Sequence, residues 1–260
     1  MARAIIAGTG VLPALVLGAG PAHAVVFQGV GAAIRTAPVI PARFEQLGAL
    51  FRDLRAAGVT ELCLAGAMRR PGFDLSALDA ETIALMPQLM TGMEQGDDAL
   101  LRAVIKVLEA EGFAVRGVHE LRPDLLAEEG VLGGIPTEAM RGDAARARTI
   151  LAALGPLDVG QGAVAARGQI IGIETLQGTD AMLTFVADSS PASGGVFVKR
   201  PKPDQDMRVD IPAIGPKTVR AAAHAGLSGI ELAAGGVLLL DRAAILAEAK
   251  HHGIALWASP

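Results

Sequence analysis

Residues 2–28, ARAIIAGTGVLPALVLGAGPAHAVVFQ, decide how the amino-terminal half folds. RAIIAG reads as a short buried strand, Gly8-Thr9-Gly10 as a turn, Val11 to Leu17 as a short helix and AHAVVFQ as a second strand, which together make one βαβ unit. No charged residue lies between Arg3 and Arg35, so hydropathy alone also admits a signal peptide with Ala22-His23-Ala24 as its cleavage site. Gly8, Gly10, Pro13, Gly18, Gly20 and Pro21 interrupt the stretch too often for a spanning helix of about 20 residues, and they suit buried strands joined by tight turns. In the βαβ frame the backbone N–H groups of Gly8, Thr9 and Gly10 stand where a helix start can meet a phosphate or carboxylate. Pro13 occupies the place of the third glycine of a dinucleotide fingerprint, so a plain tight turn fits equally well.

Outward from this unit the pattern repeats. Residues 41–57 place Phe44, Leu47, Leu50, Phe51 and Leu54 at helical spacing before Gly58, and VTELCLAG at 59–66 reads as a buried strand. Residues 97–111 give a second helix, capped by Asp97 and stopped by Gly112 before the strand FAVRGV. Alternating strands and helices predict an α/β fold with a Rossmann-like parallel sheet over residues 1–134. Met86, Met90 and Met93 share a face if helical, and serve either as core filler or as the wall of an adaptable groove for acyl chains. Arg69-Arg70 follow a strand and stand at the sheet edge where open α/β sheets bind ligands.

Composition narrows the function. With seven Phe, one Trp and no Tyr in 260 residues, stacking platforms for single-stranded nucleic acid are nearly absent. A net charge of −4 gives no basic face for a phosphate backbone. The lone Cys63 cannot form an intramolecular disulfide, and none of the five histidines has a cysteine at zinc-ligand spacing.

The glycine-rich EGVLGGIP at 129–136 marks a boundary, and residues 135–260 form a smaller mixed α/β domain that opens with a helix over 138–154. VGQGAVAARGQIIGIE at 159–174 reads as two strands joined at Arg167-Gly168, a hairpin. GTDAMLTFVAD at 178–188 shows no clear period, residues 188–195 read as a loop, and VFVKR at 196–200 as a strand. PKPDQDMRVDIPAIGPKT at 201–218 then gathers Asp204, Asp206 and Asp210 with Lys199, Lys202, Arg208 and Lys217 among four prolines, a pattern that excludes helix. If extended, Asp204, Asp206, Arg208 and Asp210 project to one side, where converging carboxylates call for a hard divalent cation and the basic residues for phosphate oxygens. The plain alternative is a solvated loop whose charges neutralise one another.

Five blocks, IIAGTGVLP at 5–13, AGAMRRP at 65–71, GDDALLRAV at 96–104, DVGQGAVAARGQIIGIETLQGTDAML at 158–183 and KRPKPDQDMRVDIPAIGPKTV at 199–219, resemble the LpxI-type UDP-2,3-diacylglucosamine pyrophosphatases of lipid A synthesis. Thr9 departs from that family, which usually carries a further glycine there. The resemblance implies hydrolysis of UDP-2,3-diacylglucosamine by water, with Mg²⁺, to 2,3-diacylglucosamine 1-phosphate and UMP. It implies a cytoplasmic enzyme whose amphiphilic substrate allows transient contact with the inner membrane, no nucleic-acid partner, and room for a homodimer. Asp206 and Asp210 are then the catalytic and metal-binding candidates, Asp206 first because it follows Gln205. Gly8, Thr9, Gly10, Arg70, Asp98, Gly178, Thr179, Asp180, Lys199, Gln205 and Arg208 are the substrate-binding candidates, and Glu174 a further carboxylate. Two other readings are a UDP-sugar transferase that holds Mg²⁺ at Asp204 and Asp206, and a non-catalytic lipid or nucleotide carrier. An NAD-dependent oxidoreductase is disfavoured, since no acidic ribose partner follows about 20 residues after the turn.

Overall fold

β1 (Ala2–Ala7), α1 (Leu12–Leu17) and β2 (His23–Phe27) form the expected βαβ unit in the computed structural model, which describes residues 2–68, 72, 74–189, 194–203 and 205–260. β3 (Val39–Ala42), α2 (Leu47–Ala56), β4 (Val59–Ala65), α3 (Ala80–Gln95), α4 (Asp97–Ala110), β5 (Ala114–Val115) and α5 (Val118–Leu121) complete this unit. Its strands run parallel in the order β3-β2-β1-β4-β5, the order of doubly wound nucleotide-binding sheets. Ala4, Ile6, Val25, Leu54, Leu62 and Ile105 belong to its core.

The start of α2 differs from the sequence reading for a tertiary reason. The helix expected from residue 41 starts at Leu47, because residues 39–42 pair with β2 as an edge strand, the place in a sheet where Pro41 is tolerated. The start of α2 has no cap of its own. Instead Thr82 Oγ1 accepts from Leu47 N (2.8 Å) and Asp79 Oδ2 from Ala49 N (3.1 Å), both from the beginning of α3.

The second unit contains β6 (Gly130–Gly133), α6 (Glu138–Leu154), β7 (Gly162–Ala166), β8 (Gln169–Ile173), α7 (Gly178–Ser189), β9 (Val196–Lys199), β10 (Ala213–Ile214), α8 (Pro216–His224), β11 (Gly229–Ala233), β12 (Leu238–Leu239), α9 (Arg242–His252) and β13 (Ala255–Ser259). Six strands form a mixed sheet in the order β6-β13-β11-β9-β7-β8, with β9, β11 and β13 parallel and the others antiparallel to their neighbours. β10 and β12 make a separate parallel pair. One face of the large sheet packs on α6 through Ala144, Ala147, Leu151, Val196 and Val198, and the other carries the main core of Phe197, Ile230, Leu232, Val219 and Ile245.

The hairpin at Arg167-Gly168 forms as expected, with both residues at positive φ (52° and 77°). The stretch at 178–188, in which no period is legible, is the helix α7. Residues 190–193 of the loop expected at 188–195 lie outside the described residues, as do Arg69, Arg70 and Asp204. The compact units are Met1–Pro123 with Asp206–Asp210, and Asp124–Gln205 with Ile211–Pro260. The boundary expected after residue 134 therefore differs from the fold at two places. β6, assigned by sequence to the first domain, hydrogen-bonds to β13, and the Asp206–Asp210 part of the acidic block packs with the first unit. Among the described residues no helix is long and apolar enough to cross a membrane.

Candidate active site

In the first unit the Gly8-Thr9-Gly10 turn is stitched to the exit of β4. Gly8 N donates to Ala65 O (2.8 Å), Thr9 N to Ala67 O (2.8 Å) and Ala67 N to Thr9 O (3.1 Å). The Thr9 hydroxyl donates to Ala67 O as well (3.1 Å), so the side chain that departs from the glycine pattern lies along the neighbouring loop. A Cβ on Gly8 would stand 2.5 Å from Ala67 O, and one on Gly66, whose φ is +92°, 2.6 Å from Thr9 O. These glycines serve the close approach of two backbones at the carboxyl edge of the sheet. Two of the three N–H groups expected to meet a ligand thus bond to protein, and Gly10, at φ +91° with open space around it, is the third.

The Asp206–Asp210 segment lies against α4 and the loop after β5. Val209 fills the same core as Ile105, Phe113 and Val115, at 3% exposure. A Cβ on Gly117 would stand 2.4 Å from the His119 imidazole and 3.1 Å from Met207 O. Val209 N donates to Asp206 O (3.1 Å), so the chain turns here and the same-face alignment expected of an extended strand does not apply. Asp210 sits in the left-handed region at φ 54° and is exposed.

Asp206 is bonded to Arg208, two residues on. Its Oδ1 accepts from Arg208 N (3.0 Å) and Nε (3.0 Å), and its Oδ2 from Arg208 Nη2 (2.7 Å). Arg208 reaches on to Glu109 of α4 through Nη1 (2.6 Å), and Asp98 pairs with Arg102 one turn apart on the same helix. The guanidinium bonds hold the Asp206 carboxyl below its ordinary range against a smaller opposing effect of burial, and the same pairing raises Arg208. Asp206 is therefore ionised at neutral pH. Glu109 and Arg102 were not legible as site residues, because only tertiary folding brings residue 208 to α4.

In the second unit Lys199, at the end of β9, is 5% exposed. Its Nζ donates to Glu174 Oε1 (3.0 Å), Glu174 Oε2 (2.9 Å) and Thr179 Oγ1 (2.6 Å), which accounts for all three ammonium protons. The Thr179 hydroxyl donates to Glu174 Oε2 (3.0 Å). The DVGQG block supplies the space. A Cβ on Gly160 would lie 2.1 Å from Glu174 O, and one on Gly162 2.3 Å from Glu174 Oε2. Gln205 Oε1 accepts from Lys202 N (2.9 Å) and Gln161 Nε2 (3.1 Å), which ties the proline-rich stretch to the residue that precedes β7. Gly178, at φ +83°, begins α7, and Asp180 is exposed in its first turn. The fold thus brings Lys199, Thr179 and Glu174 together in one unit and Asp206 with Arg208 in the other.

Two sequence-family models, described as the LpxI N-terminal domain and the LpxI C-terminal domain, match residues 2–125 and 128–257. The UDP-2,3-diacylglucosamine pyrophosphatase LpxI of Caulobacter vibrioides is 40% identical over 217 residues, covering 80% of this chain and 78% of that protein. With both halves matched in order, and with the glycine turn, the DVGQG stretch and the Asp206 block each given a structural reason, the chain belongs to the LpxI family.

Proposed function

We propose that this chain is a hydrolase that cleaves the pyrophosphate bond of UDP-2,3-diacylglucosamine, releasing 2,3-diacylglucosamine 1-phosphate and UMP. The observation that carries the reading is the 40% identity to a pyrophosphatase named for that substrate, and the ionised Asp206 clamped by Arg208 supports it. Water adds to one phosphorus, the bridging P–O bond breaks, and the leaving phosphate keeps the bridging oxygen. Asp206 takes the proton of the attacking water, and Arg208 fixes the direction in which the carboxylate points. Arg208 also offers a cation to the diphosphate oxygens. Lys199 acts at one remove: with its protons on Glu174 and Thr179, it holds the start of α7 in place.

Mg²⁺ belongs to this reading. Among the described residues no group of three His, Cys, Asp or Glu stands together as a metal cage. Asp206 and Asp210 supply hard carboxylate oxygens, and one or two carboxylates completed by substrate phosphates is the usual way Mg²⁺ is held. When bound, Mg²⁺ neutralises charge on the diphosphate. The two acyl chains require apolar surface, and α3 offers Met90 at 51% exposure on one face with the half-buried Met86 and Met93. A substrate that is half nucleotide and half lipid suits a cytoplasmic enzyme working at the inner-membrane surface.

Purified protein incubated with substrate and Mg²⁺, with and without EDTA and in ¹⁸O-labelled water, tests the reaction. UMP and a sugar phosphate are expected, with turnover lost on chelation. UDP as product would replace hydrolysis by transfer. Asp206→Ala should reduce turnover by at least about a hundredfold while substrate binding stays measurable, and full activity in that variant would remove Asp206 from the mechanism.

A further inference from the structure

We infer that Arg102 of α4 is a further substrate-binding residue, a guanidinium that meets the diphosphate oxygens beside Asp206, and that Asp98 positions it. This role rests on the hydrolysis proposed above. It moves Asp98 from contact with substrate to a task at one remove.

Residues 98, 102, 105 and 109 follow one another at spacings of four, three and four, so they form one strip along α4. The Asp206–Asp210 segment lies against this strip. Ile105 belongs to the core that Val209 fills, and Glu109 Oε1 accepts from Arg208 Nη1 (2.6 Å). Arg102, two turns before Glu109 on the same line, stands at the Asp206 end of the segment. Its charge is felt there: the Asp206 carboxyl is lowered first by its bonds to Arg208 and also by the positive charge of Arg102. Asp98, in the first turn of α4, pairs through Oδ2 with Arg102 Nη2.

Strip and segment together carry four carboxylates, Asp98, Glu109, Asp206 and Asp210, against Arg102 and Arg208, so a diphosphate is repelled here unless cations are aimed at it. The divalent cation of the proposed reaction supplies part of what is needed. Arg208 supplies less than its charge suggests, because Nε and Nη2 bond Asp206 and Nη1 bonds Glu109. A second guanidinium next to Asp206 lowers the repulsion between that carboxylate and the phosphate oxygens it must approach, and its fork suits two oxygens at once. Arg102 is within reach of a ligand: its side chain is 47% exposed, against 34% for Arg208 and 21% for Asp206. Asp98 holds one arm of the fork, which reduces the rotamer freedom lost when a substrate binds.

The test uses the full chain and methylene-bridged UDP, whose P–C–P link water cannot cleave. Binding is measured by calorimetry at fixed Mg²⁺ and ionic strength, beside kcat and KM for UDP-2,3-diacylglucosamine. Arg102→Gln should weaken binding of the analogue about tenfold or more and lower kcat/KM at least as much. Its melting curve should stay close to that of the parent, exposed ion pairs one helical turn apart being worth little. Arg102→Lys, which keeps the charge and loses the fork, should recover part of both losses. Asp98→Asn should weaken analogue binding by a smaller factor, since the arginine remains but is held less firmly. A surface pair with no other task would leave analogue binding at parental strength in all three variants, and that result overturns the assignment, as does an analogue that the parent does not bind. If the parent releases UMP from the substrate and Arg102→Gln matches it in both measurements, the role of Arg102 fails while the hydrolysis stands. If the parent binds the analogue through Arg102 but leaves the substrate intact, the hydrolysis fails while the diphosphate contact stands.

Discussion

Lys199 and Arg200 are adjacent in sequence, and because strand side chains alternate they enter opposite faces of one sheet. Each meets a buried carboxylate there, Glu174 for Lys199 and Glu231 for Arg200. Lys199→Met should therefore destabilise the protein by about 3–5 kcal/mol, since it leaves the buried Glu174 carboxyl without its partner. Adding Glu174→Gln should recover part of the loss, and a double-mutant cycle in urea measures it; no recovery would mean that packing alone sets the cost. Asp206 gives a prediction of different kind. Its folded-state pKa is lowered by Arg208, so its contribution to stability is complete above the ordinary aspartate value of about 3.9 and is lost as pH falls through the lower folded value. Carboxyl NMR should find the Asp206 midpoint below that value and rising toward it in Arg208→Gln. The acid limb of the pH–rate profile should move up with it. An unchanged midpoint would show that Arg208 does not hold the carboxylate.

Single elements owe their ends to partners distant in sequence. The β7–β8 hairpin is legible from Arg167-Gly168, but its anchor is not: Asp143, on α6 and 8% exposed, accepts from Arg167 N (3.1 Å) and Gly168 N (2.7 Å). Asp143→Ala should cost about 1–3 kcal/mol, with faster amide exchange concentrated at residues 166–169, whereas Asp143→Asn should retain part of the anchoring. Exchange that accelerates evenly over the sheet would assign Asp143 a packing role instead. Periodicity failed for α7 because its apolar residues are not confined to one stripe: Met182, Leu183 and Val186 are buried while Phe185 is exposed. It misplaced the start of α2 because the capping groups, Asp79 and Thr82, come from another helix.

At the scale of the molecule, the chain leaves the first unit after Pro123 and returns to it for Asp206–Asp210 alone. Val209 is the apolar anchor of that return, and Val209→Ala should cost about 1–3 kcal/mol. A fragment of residues 1–123 lacks this side chain and should bind a hydrophobic dye more strongly and melt lower than the same unit in the full chain; equal melting would show that the segment adds nothing to the fold. The α/β class, the first βαβ unit, the hairpin and the proline-rich charged block were determined by the sequence itself, because hydrophobic period, glycine and proline placement and charge clustering act over a few residues. Tertiary structure alone decided that the turn at Gly8 is bonded to the β4 loop, that Lys199 closes on Glu174, that Arg208 bridges Asp206 to Glu109, and that Glu231 pairs with Arg148 and Arg200. Those outcomes depend on which distant groups become buried together, where a charge must find a partner, and no local pattern records that choice.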